Sequence, residues 1–184
     1  LIRWRRPGAE LVSPADFIPT AEDSGLIVPI GLWAAHEACR QSRCWAESGA
    51  MRLPVAVNIS ATQFQRQDFV GDIKRILADT GWPANLLELE LTETTLMRDV
   101  DATIDELSAL RAMGVRIAID DFGTGYSSLA YLKKLPVDTL KIDQSFVRDV
   151  PQGPTDAEIV ATIVRLGRTL EREVVAEGVE NPAQ

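Results

Sequence analysis

The stretch VRIAIDDFGTGY, residues 115–126, decides how the rest of the chain is read. Val115, Ile117 and Ile119 alternate with Arg116 and Ala118, as along a strand with one apolar face. That strand delivers two adjacent carboxylates, Asp120 and Asp121, into a loop carrying Gly123 and Gly125. Adjacent acids at a strand end repel each other, and a cation relieves the repulsion. The glycines supply backbone freedom where a side chain would crowd a ligand. The competing explanation is an ordinary polar strand exit that caps the next helix. Taken alone, the stretch does not choose between the two.

Working outward, strands are predicted over residues 1–5, 54–59, 86–92, 137–143 and 173–177, besides the central one. Helical spacing predicts helices over 21–49, 60–80, 95–113, 127–134 and from 155 or 156 through 170. Residues 6–19 read as a Pro- and Gly-bearing loop, and residues 152–155 as a turn. Strand and helix alternate about every 30 residues, which predicts a parallel sheet. The candidates are an open doubly wound sheet and an eight-fold βα barrel. No glycine-rich phosphate fingerprint follows the first strand, which weighs against a dinucleotide-binding fold. No linker divides residues 1–184, so one domain is expected.

Composition narrows the chemistry. Apolar residues make up 46% and charged residues 25%, as in globular proteins. With 19 basic against 27 acidic residues, the net charge of −8 argues against DNA or RNA as a partner. A small phosphate ligand stays open, because metal ions can reverse the local field. Cys39 and Cys44 lie five apart in one predicted helix and do not share a face, so neither a disulfide nor a zinc site is expected. His36, the only histidine, reads as packing or surface. A metal here would be held by oxygen: magnesium, manganese or calcium chemistry. No apolar run is long enough to span a membrane. The expected location is cytoplasmic, alone or as the cytosolic part of a membrane-bound protein.

Five predicted strands finish on polar groups: at Asn58, Glu90, Asp120-Asp121, Lys141 with Asp143, and Glu177. In a parallel barrel all strand C-termini open on one face, where catalytic groups converge. Solvation explains one polar strand end; it explains five poorly. Asn58, Glu90, Asp120, Asp121 and Glu177 supply the oxygen donors that hard divalent ions take. Two such ions suit in-line displacement at phosphorus. Lys141, among so many acids, could orient a water or stabilise developing charge; the alternative is a structural salt bridge to Asp143 or Glu177.

These residues carry a resemblance. The chain resembles the EAL family of bacterial cyclic-di-GMP phosphodiesterases along its whole length. The matching runs are Phe17-Ile18-Pro19 with Ala21-Glu22, VNIS at 57–60, ELTET at 90–94, DDFGTGYSSL at 120–129, LKIDQSFV at 140–147 and VVAEGVE at 174–180. The resemblance implies a TIM-like (β/α)8 barrel with an antiparallel first strand, and hydrolysis of cyclic-di-GMP to linear 5′-pGpG with two Mg²⁺ or Mn²⁺ ions. By that likeness Asn58, Glu90, Asp120, Asp121 and Glu177 are metal ligands, and Lys141 holds the attacking water. Glu93 would anchor the loop over 122–128, Arg3 would meet a substrate phosphate, and Gln63, Asp143 and Glu180 would lie around the substrate. It also implies a homodimer through the short helix after DDFGTG and the helix after LKID, and fusion to sensory or GGDEF domains.

Here the family's name motif, Glu-Ala-Leu followed by an apolar residue, Arg and Trp, is entered at its leucine, as Leu1-Ile2-Arg3-Trp4. The motif's metal-binding Glu would then precede residue 1, and the last strands and a Gln-Gly motif would follow residue 184. The barrel is thus expected to be truncated at both ends, and the fragment alone weak or inactive. A cyclic-di-GMP sensor that does not cleave its ligand is the alternative, to be separated by the residue preceding Leu1. A scaffold that binds no nucleotide is a third reading.

Overall fold

A computed structural model of the chain describes residues 2–5, 8, 11–97, 99–125, 129–151 and 153–184. The first strands, β1 (Trp4–Arg5) and β2 (Leu11–Val12), pair antiparallel in a two-stranded sheet of their own. Helices α1 (Pro14–Asp23) and α2 (Ile27–Glu47) follow. The main sheet is then built in strict sequence order from β3 (Val55–Asn58), β4 (Leu87–Thr92), β5 (Arg116–Phe122), β6 (Thr139–Ile142) and β7 (Glu173–Ala176). Every neighbouring pair in it is parallel.

Helices supply the crossovers that parallel strands require. Between β3 and β4 lie α3 (Ala61–Phe64) and α4 (Phe69–Thr80); between β4 and β5 lie α5 (Glu93–Leu96) and α6 (Val100–Ala112). Helix α7 (Leu129–Leu132) precedes β6, and α8 (Gln144–Asp149) and α9 (Pro154–Thr169) lead to β7.

The alternation seen in sequence separates the sheet into two chemically different faces. Leu87, Leu89, Leu91, Ile117, Ile119 and Leu140 are fully buried in the main hydrophobic cluster. Helix side chains join them there, among them Ile73 of α4 and Leu107 and Leu110 of α6. The opposite face carries Asn58, Glu88, Glu90, Arg116, Asp120, Thr139 and Lys141, which share the other parity. Apolar packing therefore lies between sheet and helices, and the polar groups are left to one another.

The structure departs from the predicted elements where local caps outweigh periodicity. Residues 11–19, expected within a loop, hold β2 and the start of α1. Pro14 sits in the first turn of α1, where its missing N–H would have had no helical partner. The helix expected over 21–49 is divided at Gly25, whose φ is +74°. Helix 60–80 is interrupted between Phe64 and Phe69, and helix 95–113 is re-initiated at Asp99, whose carboxylate accepts from the Ala102 N–H. Apolar spacing predicts no helix over 144–149, whereas the resemblance implies one after LKID, and α8 lies there; the Asp143 carboxylate starts it by accepting from the Ser145 N–H at 2.9 Å. Residues 1, 6, 7, 9, 10, 98, 126–128 and 152, over which the predicted first strand, loops, turn and two of the helices extend, lie outside the described residues.

Leu89 tests the packing of the sheet's apolar face. Leu89→Ala removes a side chain of zero exposure, and the expected loss is about 3 kcal/mol, as for other buried Leu truncations. Urea unfolding measures it; a loss below about 1 kcal/mol would contradict the assignment of that face as core.

Candidate functional site

The site is made by an irregularity in β5. Ile119 pairs with Leu140 of β6 and Phe122 with Ile142, so two residues of β5, Asp120 and Asp121, stand opposite one residue, Lys141. This is a β-bulge, and it bends the strand and re-aims its side chains. In a regular strand two adjacent residues point to opposite faces. Here Asp121 adopts a φ of +51°, in the left-handed region that only Asn and Asp enter readily among side-chain-bearing residues. As a result one carboxylate oxygen from each of Asp120, Asp121 and Glu177 lies within 4.8 Å of the others.

Lys141 organises the rest. Its Nζ lies 2.5 Å from Glu177 Oε1, 2.8 Å from Glu90 Oε1 and 2.9 Å from Asp120 Oδ1. One ammonium thus draws in groups from β4, β5 and the end of β7. Of the two salt bridges allowed by the sequence, that to Glu177 is formed. Asn58 at the end of β3 donates its Nδ2 to Glu90 Oε2 at 2.9 Å, which orients that carboxylate. Glu90, Asp120 and the Lys141 side chain are nearly shielded from water.

Four carboxylates around one ammonium leave the site strongly negative. Burial raises the Glu90 carboxyl above its ordinary range; Lys141 opposes that rise, while the charges of Asp120 and Glu177 add to it. Asp121 is pushed up to about 6 by burial, by the charge of Asp120 and by a hydrogen bond shared with Asp143. Asp143 moves the other way, held below its ordinary range chiefly by the Ser145 hydroxyl. Burial alone would lower the Lys141 ammonium, but its bonds to Glu177, Glu90 and Asp120 raise it on balance, so it stays charged. Oxygen donors, excess negative charge and a strained Asp121 fit a hard divalent cation. Asp120, Asp121 and Glu177 can together hold a metal ion.

The remaining predicted residues lie at varied distances from this cluster. Asp143 is joined to it through Asp121. Glu93 is almost wholly buried at the start of α5, and its Oε2 accepts from the Gly123 N–H at 3.2 Å. Among the described residues its Oε1 has no hydrogen-bond partner, and a Cβ on Gly125 would come within 2.8 Å of it. The loop after the two aspartates is thus tied to β4's exit. Gln63 is 1% exposed, its amide Nε2 without a partner among the described residues and its carboxamide filling the space left by Gly31 of α2. Arg3 lines a largely apolar cavity of about 660 Å³ with Trp4, Phe17, Ala21, Leu26 and Ile30. Glu180 is exposed, its N–H bonded to Gln184. Among the described residues no hydrogen bond or ion pair joins Arg3, Gln63 or Glu180 to the acidic cluster. Ser145 was not singled out in the sequence; a Ser two residues after a strand-ending Asp is the signal that could have found it.

The family model described as "EAL domain" matches residues 1–184. The bifunctional diguanylate cyclase/cyclic di-GMP phosphodiesterase MucR of Pseudomonas aeruginosa is 50% identical over the whole chain, which covers 27% of MucR. The cyclic di-GMP phosphodiesterase NbdA of the same organism is 46% identical over the whole chain, covering 24% of NbdA. The chain thus spans about a quarter of the length of these curated relatives. Among solved structures, "PaMucR Phosphodiesterase, c-di-GMP complex" superposes with a TM-score of 0.94 at 50% identity, over 98% of this chain and 73% of that one. The EAL domain of Mycobacterium smegmatis DcpA gives 0.82 at 39% identity, over 86% and 71% of the two chains.

The raised Asp121 carboxyl has a consequence for stability in chelator. A folded-state value above the unfolded one stabilises the fold at pH below the ordinary aspartate range, and that contribution is lost as pH rises through about 6. Asp121→Asn keeps the shape and tolerates the left-handed φ but does not titrate. The variant's melting temperature should therefore gain on wild type as pH rises from about 4 to about 7. A constant difference across that range, measured by thermal denaturation in EDTA, would contradict the burial and charge repulsion assigned to Asp121.

Proposed function

The chain belongs to the EAL domain family, and on that premise we propose that the intact domain hydrolyses one phosphodiester of cyclic-di-GMP, giving linear 5′-pGpG. The observation that carries the reading is the bulge that turns Asp120 and Asp121 toward Lys141 and Glu177. The names of MucR and NbdA support the substrate.

Two divalent cations, Mg²⁺ or Mn²⁺, would be held by Asn58, Glu90, Asp120, Asp121 and Glu177; bound there they would polarise a phosphoryl oxygen and make water more acidic. Lys141 remains an ammonium, so it acts as a hydrogen-bond donor and not as a base: it orients the attacking water and offsets charge developing at phosphorus. Asp143 shares a hydrogen bond with Asp121 and steadies that carboxylate at the site's edge. In the overall step water's oxygen bonds to phosphorus, the bond to the ribose 3′ oxygen breaks, and that oxygen leaves with a proton.

Arg3, Gln63, Asp143 and Glu180 are proposed around the substrate, and Glu93 as the anchor of the loop beginning at Phe122. The bond from Gly123 N–H to Glu93 supports that last role. Two copies are proposed to pair through α7 and α8, where Leu129 and Tyr131 are exposed. Among the described residues no helix is long and apolar enough to cross a membrane, and a cytoplasmic location, fused to sensory or GGDEF domains, completes the reading.

Incubation of the full-length domain with cyclic-di-GMP and Mg²⁺ or Mn²⁺, followed by chromatography, tests the reading: 5′-pGpG should accumulate, and EDTA should stop it. Ligand bound but uncleaved would favour the sensor instead. Asp121→Asn and Lys141→Ala should each abolish turnover, a drop of at least about 100-fold given what single preorganised groups contribute. Wild-type rates in either variant would contradict the roles assigned.

A further inference from the structure

We propose that Asp138, together with Arg116, locks the position of the bulge in β5 and is thereby a positioning residue for Asp120 and Asp121; the importance of that pair rests on the cation-binding reading above. A bulge is one residue too many in a ladder, and the ladder does not by itself say where the extra residue goes. Moving it by one residue toward either end would return Asp120 and Asp121 to opposite faces. The mouth of the site does not favour its own geometry: Asp121 is strained, and neighbouring carboxylates repel. Something outside the mouth must hold the phase.

Three residues before Lys141, Asp138 grips β5 at Ile117. Its backbone N–H donates to Ile117 O at 2.8 Å, and its carboxylate Oδ2 accepts from the Ile117 N–H at 2.9 Å. Both backbone groups of one β5 residue are thus claimed by one residue ahead of β6. The other oxygen, Oδ1, is held by Arg111 Nη2 of α6 at 2.8 Å, so the carboxylate cannot swing away without losing an ion pair. The rung lies two residues below the last regular pair before the bulge, Ile119 with Leu140.

Arg116, one residue earlier, braces the polar face. Its Nε lies 3.3 Å from Glu88 Oε2 of β4, and its Nη2 3.3 Å from Thr139 Oγ1 of β6 and 2.5 Å from Glu173 Oε2 of β7. Thr139 also donates to Glu88 Oε2 at 3.1 Å. One guanidinium therefore ties four strands at their N-terminal ends. Each group has the parity of a mouth residue on its own strand: Glu88 with Glu90, Arg116 with Asp120, Thr139 with Lys141, Glu173 with Glu177. They sit two or four residues away, about 7 or 13 Å along a strand. The floor fixes the relative heights of the strands, and Asp138 fixes β5 against β6 immediately below the irregularity.

Asp138→Asn keeps the volume but turns one acceptor into a donor that must face either the Ile117 N–H or the Arg111 guanidinium. Two readouts apply to the purified chain. In chelator, the Asp121 Cα and Cβ chemical shifts, which report its left-handed φ, should move toward ordinary strand values. In a Mn²⁺ titration, the dissociation constant should rise about tenfold or more, as when outer-sphere supports of a metal site are removed. Far-UV circular dichroism should stay unchanged, and Arg165→Gln, on the exposed face of α9, should alter neither readout. Should Asp138→Asn not fold, Arg116→Gln carries the same expectation and leaves the Asp138 contacts in place. Asp121 shifts equal to wild type in the folded variants, or Mn²⁺ affinity within about twofold of it, overturn the proposal. If wild type takes up no Mn²⁺, the cation reading fails, while the Asp121 shifts still decide the lock.

Discussion

Two aspartates opposite one lysine are the constraint from which the rest of the structure follows. A regular β5 would carry Asp120 to one face of the sheet and Asp121 to the other. The extra residue between Ile119 and Phe122 brings both toward Lys141, at the cost of a left-handed aspartate and of carboxylates crowded together. Such an arrangement persists only when its surroundings over-determine it. The apolar face supplies part of that rigidity, since Ile117, Ile119 and Leu140 are fully enclosed by helices and cannot trade faces with their charged neighbours.

The electrostatics then assign distinct duties to chemically similar groups. Glu90 and Asp121 are pushed toward protonation, Asp143 away from it. Lys141, gripped by three acids, keeps its charge. A centre of this kind is poorly satisfied by its own protons and side chains, and a metal ion held there would supply what it lacks. Glu93 is a buried carboxylate that ties the loop to β4's exit, with one oxygen accepting from the Gly123 N–H and the other, among the described residues, without a partner.

Much of this was legible in the residues. The order of strands, the parallel sheet and the acidic strand ends follow from alternation and spacing, because a period of two is preserved wherever one face is buried. Glu90, Asp120, Asp121, Lys141 and Glu177 are brought together as their positions at strand ends imply. What was not legible depended on backbone detail or on distant partners. Nothing in the run Ile119-Asp120-Asp121-Phe122 announces a bulge, since its phase is set by Asp138 and Arg116 contacts across strands. Helix breaks near Gly25, Phe64 and Asp99 were hidden because apolar periodicity runs on across them. Periodicity alone does not reveal α8, because Asp143, read as the end of a strand, also caps a helix. Gln63 illustrates the limit of residue type: a polar side chain at a strand exit is here packed into the notch at Gly31.

Anomalous X-ray diffraction from crystals grown with Mn²⁺ tests the central claim most directly. Strong anomalous peaks should appear within bonding distance of Asp120, Asp121 and Glu177, with both aspartates on the Lys141 side of β5. An empty mouth, or ions bound only to other surface acids, would contradict the account.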